Sequence, residues 1–132
     1  MIFVDSSFWI GHERERDGRH AEARRLAAAY VGTARVTSTA VVAETWTFLR
    51  RKAGHLASMA WLDTISRGQG LRVERIDEEL EDAAWAWLRV HDERPYSYVD
   101  ATSFALMRKL RITDALTFDG GFAAAGFNEL RP

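Results

Sequence analysis

The segment from Ser97 to Gly126 changes hydrophobic period partway, and that change constrains the fold more than any other feature of the chain. Val99, Ser103, Leu106 and Leu110 recur at helical spacing, with Phe104 and Met107 widening the apolar stripe. Ala115 to Phe118 then reads as a short buried strand, closed by Asp119 and the turn-forming pair Gly120-Gly121. A helix running directly into a buried strand marks an α/β unit, and it carries two acids with it. Asp100 falls in the helix's first turn and Asp119 just past the strand.

The same alternation runs through the rest of the chain. Met1 to Val4 is a β-prone start that stops at Asp5-Ser6-Ser7, where a helix begins. Glu13 to Arg19 reads as a charged loop, and His20 to Val31 as an Ala-rich helix stopped by Gly32. Arg35 to Ser38 is a second strand, and Thr39 is a fair N-cap for a helix running to Gly54. Further helices are expected over His55 to Arg67 and, behind Asp77 as N-cap, over Glu78 to Val90, separated by an edge strand over Leu71 to Ile76. Trp85 and Leu88 are expected to share the buried stripe of the last of these, with Trp87 partly elsewhere. The linker from His91 to Tyr96 contains Pro95, and Asn128 to Leu130 adds a final strand. Helices alternating with strands predict a single α/β domain over residues 1–132, with helices packed around a mostly parallel sheet.

The chain is long enough for a hydrophobic core without disulfides or a structural metal. It has no cysteine, which excludes disulfide scaffolds, thiolate metal sites and cysteine nucleophiles and is compatible with a reducing cytoplasm. Its four histidines are scattered, with no pair at zinc-ligand spacing. No signal-peptide pattern or membrane-length apolar run occurs, so the expected location is the cytoplasm, with no membrane partner. The formal net charge of −1 provides no global basic field for nucleic acid, although 16 of the 18 basic residues are arginine.

In open parallel sheets, sites form beyond the carboxyl ends of the strands. Asp5 and Asp119 each follow a predicted strand, and Glu44 and Asp100 lie early in helices that begin at the same end. Glu44 shares a helix face with Val41 and Phe48 and so points inward, where an unpaired carboxylate is costly. Each acid also has a structural reading: Ser97 and Asp100 fit a capping box, Asp119 a turn, and Glu44 a buried pair with an arginine or a shifted face at the helix edge. Four carboxylates converging on one rim, however, repel one another unless a cation neutralises them. Hard ions such as Mg²⁺ or Mn²⁺ take oxygen ligands of this kind.

These residues resemble the PIN-domain ribonucleases, and among them the VapC-type toxins of VapBC toxin-antitoxin pairs. The opening V-D-S-S is similar to that family's first acidic motif, V-A-E-T to its helix-borne glutamate, Y-S-Y-V-D-A-T-S-F-A-L-M to its third motif and A-L-T-F-D-G-G-F to its fourth. The resemblance implies a three-layer α/β/α sandwich with a five-stranded sheet in the order 3-2-1-4-5. It also implies an acidic site of Asp5, Glu44, Asp100 and Asp119, with Asp5 and Asp100 the firmest metal ligands and Ser7, Ser97 and Thr117 in support. The implied function is metal-dependent cleavage of RNA to 5′-phosphate and 3′-hydroxyl ends, by a homodimer neutralised by an antitoxin. Five tryptophans in so small a domain also suggest an interface. Asp114, at the far end of the last predicted strand, reads as a turn or surface residue. The Gly120-Gly121 pair reads as a flexible loop with no basic residue to hold phosphate.

Two other classes remain open on the sequence. A haloacid-dehalogenase-like phosphatase also starts with a strand ending in aspartate, but Asp5-Ser6-Ser7 lacks that family's second acid. A PIN-like module that binds RNA or protein without cutting keeps the fold and loses the chemistry.

Overall fold

The computed structural model describes all residues, 1–132. The apolar run Ile2–Val4 is β1, buried throughout as befits a strand covered on both faces, and it forms the middle of the sheet. Five strands pair in the order β3-β2-β1-β4-β5, every pair parallel, with β2 at Arg35–Ser38, β3 at Leu71–Glu74, β4 at Asp114–Leu116 and β5 at Asn128–Glu129. The order and direction are those expected. Because β1 pairs β2 on one side and β4 on the other, Asp5 stands where the strand order changes direction.

Seven helices accompany the sheet: α1 (Ser6–Glu13), α2 (His20–Ala29), α3 (Thr39–Ala53), α4 (His55–Arg67), α5 (Glu78–Val90), α6 (Tyr98–Leu110) and α7 (Gly121–Ala124). The most deeply placed is α6, buried continuously from Ala101 to Met107 and packed against α3, α5 and α7. That run of buried residues exceeds an amphipathic stripe and includes the polar Thr102 and Ser103. At its centre Phe104 is fully buried among Trp87, Tyr96, Phe122 and Phe127, with ring centroids 5.2, 5.8, 4.9 and 5.5 Å away.

Several local expectations are corrected. The N-cap of α3 is Ser38, whose hydroxyl accepts from the Val41 N–H at 3.1 Å; Thr39 is the first helical residue and accepts instead from the Ile76 N–H. The last inner strand stops at Leu116, so Asp119 lies three residues beyond it. The glycine pair does not form a flexible turn: Gly121 is buried and opens α7. A Cβ on Gly121 would stand 3.2 Å from Asp119 Oδ1 and 3.4 Å from the Tyr96 ring, so the glycine provides room for packing. Asp114 is the first residue of β4 and accepts from Asn128 Nδ2 at 3.0 Å. On α5 the core contacts come from Leu80, Ala84 and Trp87, whereas Trp85 is 45% exposed. Four of the five tryptophans therefore pack in or against the core, and the composition argument for an interface rests on Trp85 alone.

Candidate metal-dependent active site

Asp5 leaves β1 as the N-cap of α1 and is almost completely buried. Its hydrogen bonds all fall on Oδ2, from the Ser7 hydroxyl at 2.8 Å, the Thr117 hydroxyl at 2.9 Å and, at 3.4 Å, the Ser7 N–H. The same two hydroxyls, 3.1 Å apart, also hold the segment after β4: Ser7 Oγ accepts from the Phe118 N–H and Thr117 Oγ1 from the Asp119 N–H. Residues 110 positions apart in sequence are thus tied into one unit that fixes Asp5 and the backbone of Asp119 together.

Asp100 and Ser97 form the capping box that their spacing predicts. The Ser97 hydroxyl accepts from the Asp100 N–H at 2.9 Å, and Asp100 Oδ2 accepts from the Ser97 N–H at 3.0 Å. This leaves Oδ1 without a protein donor, so the capping role and a site role are compatible. Asp119 likewise uses one oxygen, Oδ1, to accept from the Gly121 N–H at 3.0 Å. Glu44 sits beside the buried stripe of Val41, Thr45 and Leu49 and not within it. Its Oε1 accepts from the Ser6 hydroxyl, a partner that the sequence reading missed. The expected alternative, an arginine paired with Glu44, is absent: none of the chain's seven ion pairs involves any of the four acids.

The four carboxylates therefore share one pattern. Each has one oxygen held by protein donors and one free, and none is in ion-pair range of a basic side chain. Their charges act on each other. Burial raises Asp5's carboxyl, and the nearby Glu44 charge adds to that, against the hydrogen bonds from Ser7 and Thr117. Glu44 is raised by burial and then by the charges of Asp100 and Asp119. Asp100 is pushed up to about 6, by burial first and then by Asp119 and Asp5. Crowding of this kind in an oxygen-only donor set fits a hard divalent cation. The side chains do not close as a group of three on one point.

A carboxyl with a higher pKa folded than unfolded binds protons better in the native state. These groups therefore lower metal-free stability as pH rises from 3.8, Asp100's ordinary value, through about 6. A bound divalent ion requires the charged forms and reverses that preference. The increase in melting temperature produced by Mg²⁺ is accordingly expected to be large at pH 7.5 and small at pH 5. Equal increments at both values would contradict the assignment.

A parallel sheet in this order, with acids at the end where its order reverses, is consistent with a PIN domain. The PIN-domain family model matches residues 2–128, and the chain belongs to that family, which removes the phosphatase reading. Among proteins it resembles is the 23S rRNA-specific endonuclease VapC20 of Mycobacterium tuberculosis strain H37Rv, 51% identical over 132 residues that span all of this chain and 99% of that one. The crystal structure of M. tuberculosis VapC20, described as a sarcin-ricin loop cleaving toxin, superposes over the full length of both chains with a TM-score of 0.93. FitAcB from Neisseria gonorrhoeae, at 16% identity and a TM-score of 0.74 over 100% of this chain and 98% of that one, shares the fold.

Proposed function

We propose that the chain is the toxin of a toxin-antitoxin pair and acts in the cytoplasm as a divalent-metal-dependent endoribonuclease, with Asp5, Glu44, Asp100 and Asp119 as its acidic site. The observation that carries this reading is the set of four free carboxylate oxygens with no basic side chain in ion-pair range. Full-length identity of 51% to an endonuclease supports it. No helix is long and apolar enough to cross a membrane. Asp5 and Asp100 are the direct ligands for Mg²⁺ or Mn²⁺, and Glu44 and Asp119 act through water. Its partners are RNA, a cognate antitoxin and a second copy of the chain.

When bound, such an ion supplies positive charge against the scissile phosphate and acidifies water beside it. The protein's own part is to hold the acids. Ser7 and Thr117 orient Asp5, Ser6 orients Glu44, and the capping box fixes Asp100. A free oxygen of Glu44 or Asp119 takes the proton of the attacking water. In-line displacement breaks the bond from phosphorus to the 3′ oxygen, which takes a proton from solvent, leaving a 5′-phosphate and a 3′-hydroxyl without the 2′-hydroxyl taking part.

The relative's name directs the choice of probe: a stem-loop RNA carrying the sarcin-ricin loop of 23S rRNA. With Mg²⁺ or Mn²⁺ the chain is expected to cut it once, giving a 5′-phosphate end, and EDTA is expected to abolish the cut. Cleavage that survives EDTA, or a 2′,3′-cyclic phosphate product, would rule out this mechanism. Metal-induced stabilisation without any product would instead mark a binding module.

A further inference from the structure

The last loop contains no basic residue of its own, yet the cleft beside it does contain one. Arg94, from the linker between α5 and α6, lines a cleft of about 70 Å³ with Pro95, Tyr96, Asp100, Asp119 and Gly121. A Cβ on Gly120 would lie 3.6 Å from Arg94 Nη2, so the guanidinium reaches across to the glycine pair.

The linker that presents it is pinned in place. Pro95 restricts its own φ and the conformation of Arg94 before it, and the Tyr96 N–H donates to the Arg94 carbonyl at 2.8 Å. The Tyr96 ring packs edge-on against Trp87 and Phe104, with centroids 4.7 and 5.8 Å away. The Arg94 backbone is thus fixed two residues from a ring anchored in the core, while its side chain is exposed. Although two acids line the same cleft, Arg94 forms no ion pair, so its donors are uncommitted.

The size of the cleft limits what it can hold. The cleft is small and five of its six lining residues are not hydrophobic, so it suits a charged oxygen better than an apolar group. The geometry points to Arg94 as a substrate-contacting residue that donates to a nonbridging oxygen of the RNA phosphate held at the acids. A guanidinium suits this task because its planar fork matches phosphate oxygens and keeps its charge at every relevant pH. It supplies positive charge from the side of the cleft formed by the linker, where charge builds on the phosphate oxygens during displacement. The inference rests on the nuclease reading above and adds to it a residue outside the four acids.

The test compares wild type, Arg94→Ala and Arg94→Lys on the sarcin-ricin stem-loop under single-turnover conditions with Mg²⁺, alongside melting with and without Mg²⁺. Arg94→Ala is expected to melt like wild type, to keep the full Mg²⁺ increment, and to lose about 10- to 100-fold in cleavage rate. Its RNA binding should also depend on salt with a slope lower by about one, as for the loss of one phosphate contact. Arg94→Lys should recover part of the rate. Arg94→Ala cutting like wild type, or losing its Mg²⁺ increment, overturns the assignment and leaves the nuclease reading intact. A wild-type chain that binds Mg²⁺ and cuts nothing overturns the nuclease reading, and this inference with it.

Discussion

Asp100→Asn is expected to leave the chain folded, to abolish its stabilisation by Mg²⁺, and to lower RNA cleavage by about a hundredfold or more. The variant separates two roles that one side chain performs. Asparagine keeps an oxygen that accepts from the Ser97 N–H, so the capping box survives and α6 starts where it did. What it loses is the charge. In the metal-free chain that charge is unfavourable, since burial and two neighbouring acids push Asp100 up to about 6. At pH 7.5 in EDTA the variant should therefore melt no lower than wild type and is expected to melt higher. If Asp100 were only a cap, the substitution would leave cleavage and the Mg²⁺ increment unchanged. Circular dichroism melts with and without Mg²⁺, run beside the cleavage assay, distinguish the two outcomes.

Phe104→Ala should destabilise the fold by about 3–5 kcal/mol. The ring is fully buried and meets four others, so the cavity is lined by rigid aromatics with little freedom to collapse. Against a total stability of roughly 5–15 kcal/mol for a domain, the loss is large, and it corresponds to a melting temperature lower by roughly 10–20 °C. Two of the four rings, Tyr96 and Phe122, flank Gly121 and the acid cleft. Cleavage should therefore fall even at temperatures where the variant remains folded. Urea denaturation gives the free energy directly, and a cost under about 1 kcal/mol would mean that the cluster does not anchor the core.

The sequence made some of this legible for specific physical reasons. Asp5 and Asp100 were readable because each is marked by local chemistry: an abrupt strand end in one case, an S-x-x-D capping pattern in the other. The sheet order was implied by the family motifs, and the alternation of elements supported a mostly parallel sheet. Glu44's partner was not readable, because Ser6 comes from a helix 38 residues away and a D-S-S tripeptide does not reveal which hydroxyl turns where. The four residues of α7 are too few to show a period, so its glycines read as a turn. Trp85 and Trp87 exchanged their expected places because packing of α5 on α6, which residue spacing cannot fix to within one position, sets which face is covered. Arg94 was missed for a related reason: an irregular linker has no period, and its destination is set by where the Tyr96 ring is buried.

The hydroxyl unit joining Ser7 to Thr117 also has a consequence during biosynthesis. Asp5 is among the first residues made, yet one of the two hydroxyls that orient it and the backbone that carries Asp119 arrive more than a hundred residues later. At the usual 5–20 residues per second, that interval is roughly 6–23 s. A ribosome that stalls or a message that is cut within it yields a chain with no formed cleft. On the proposed function, such a fragment is harmless to RNA, and the protein becomes dangerous only as its final strands are laid down.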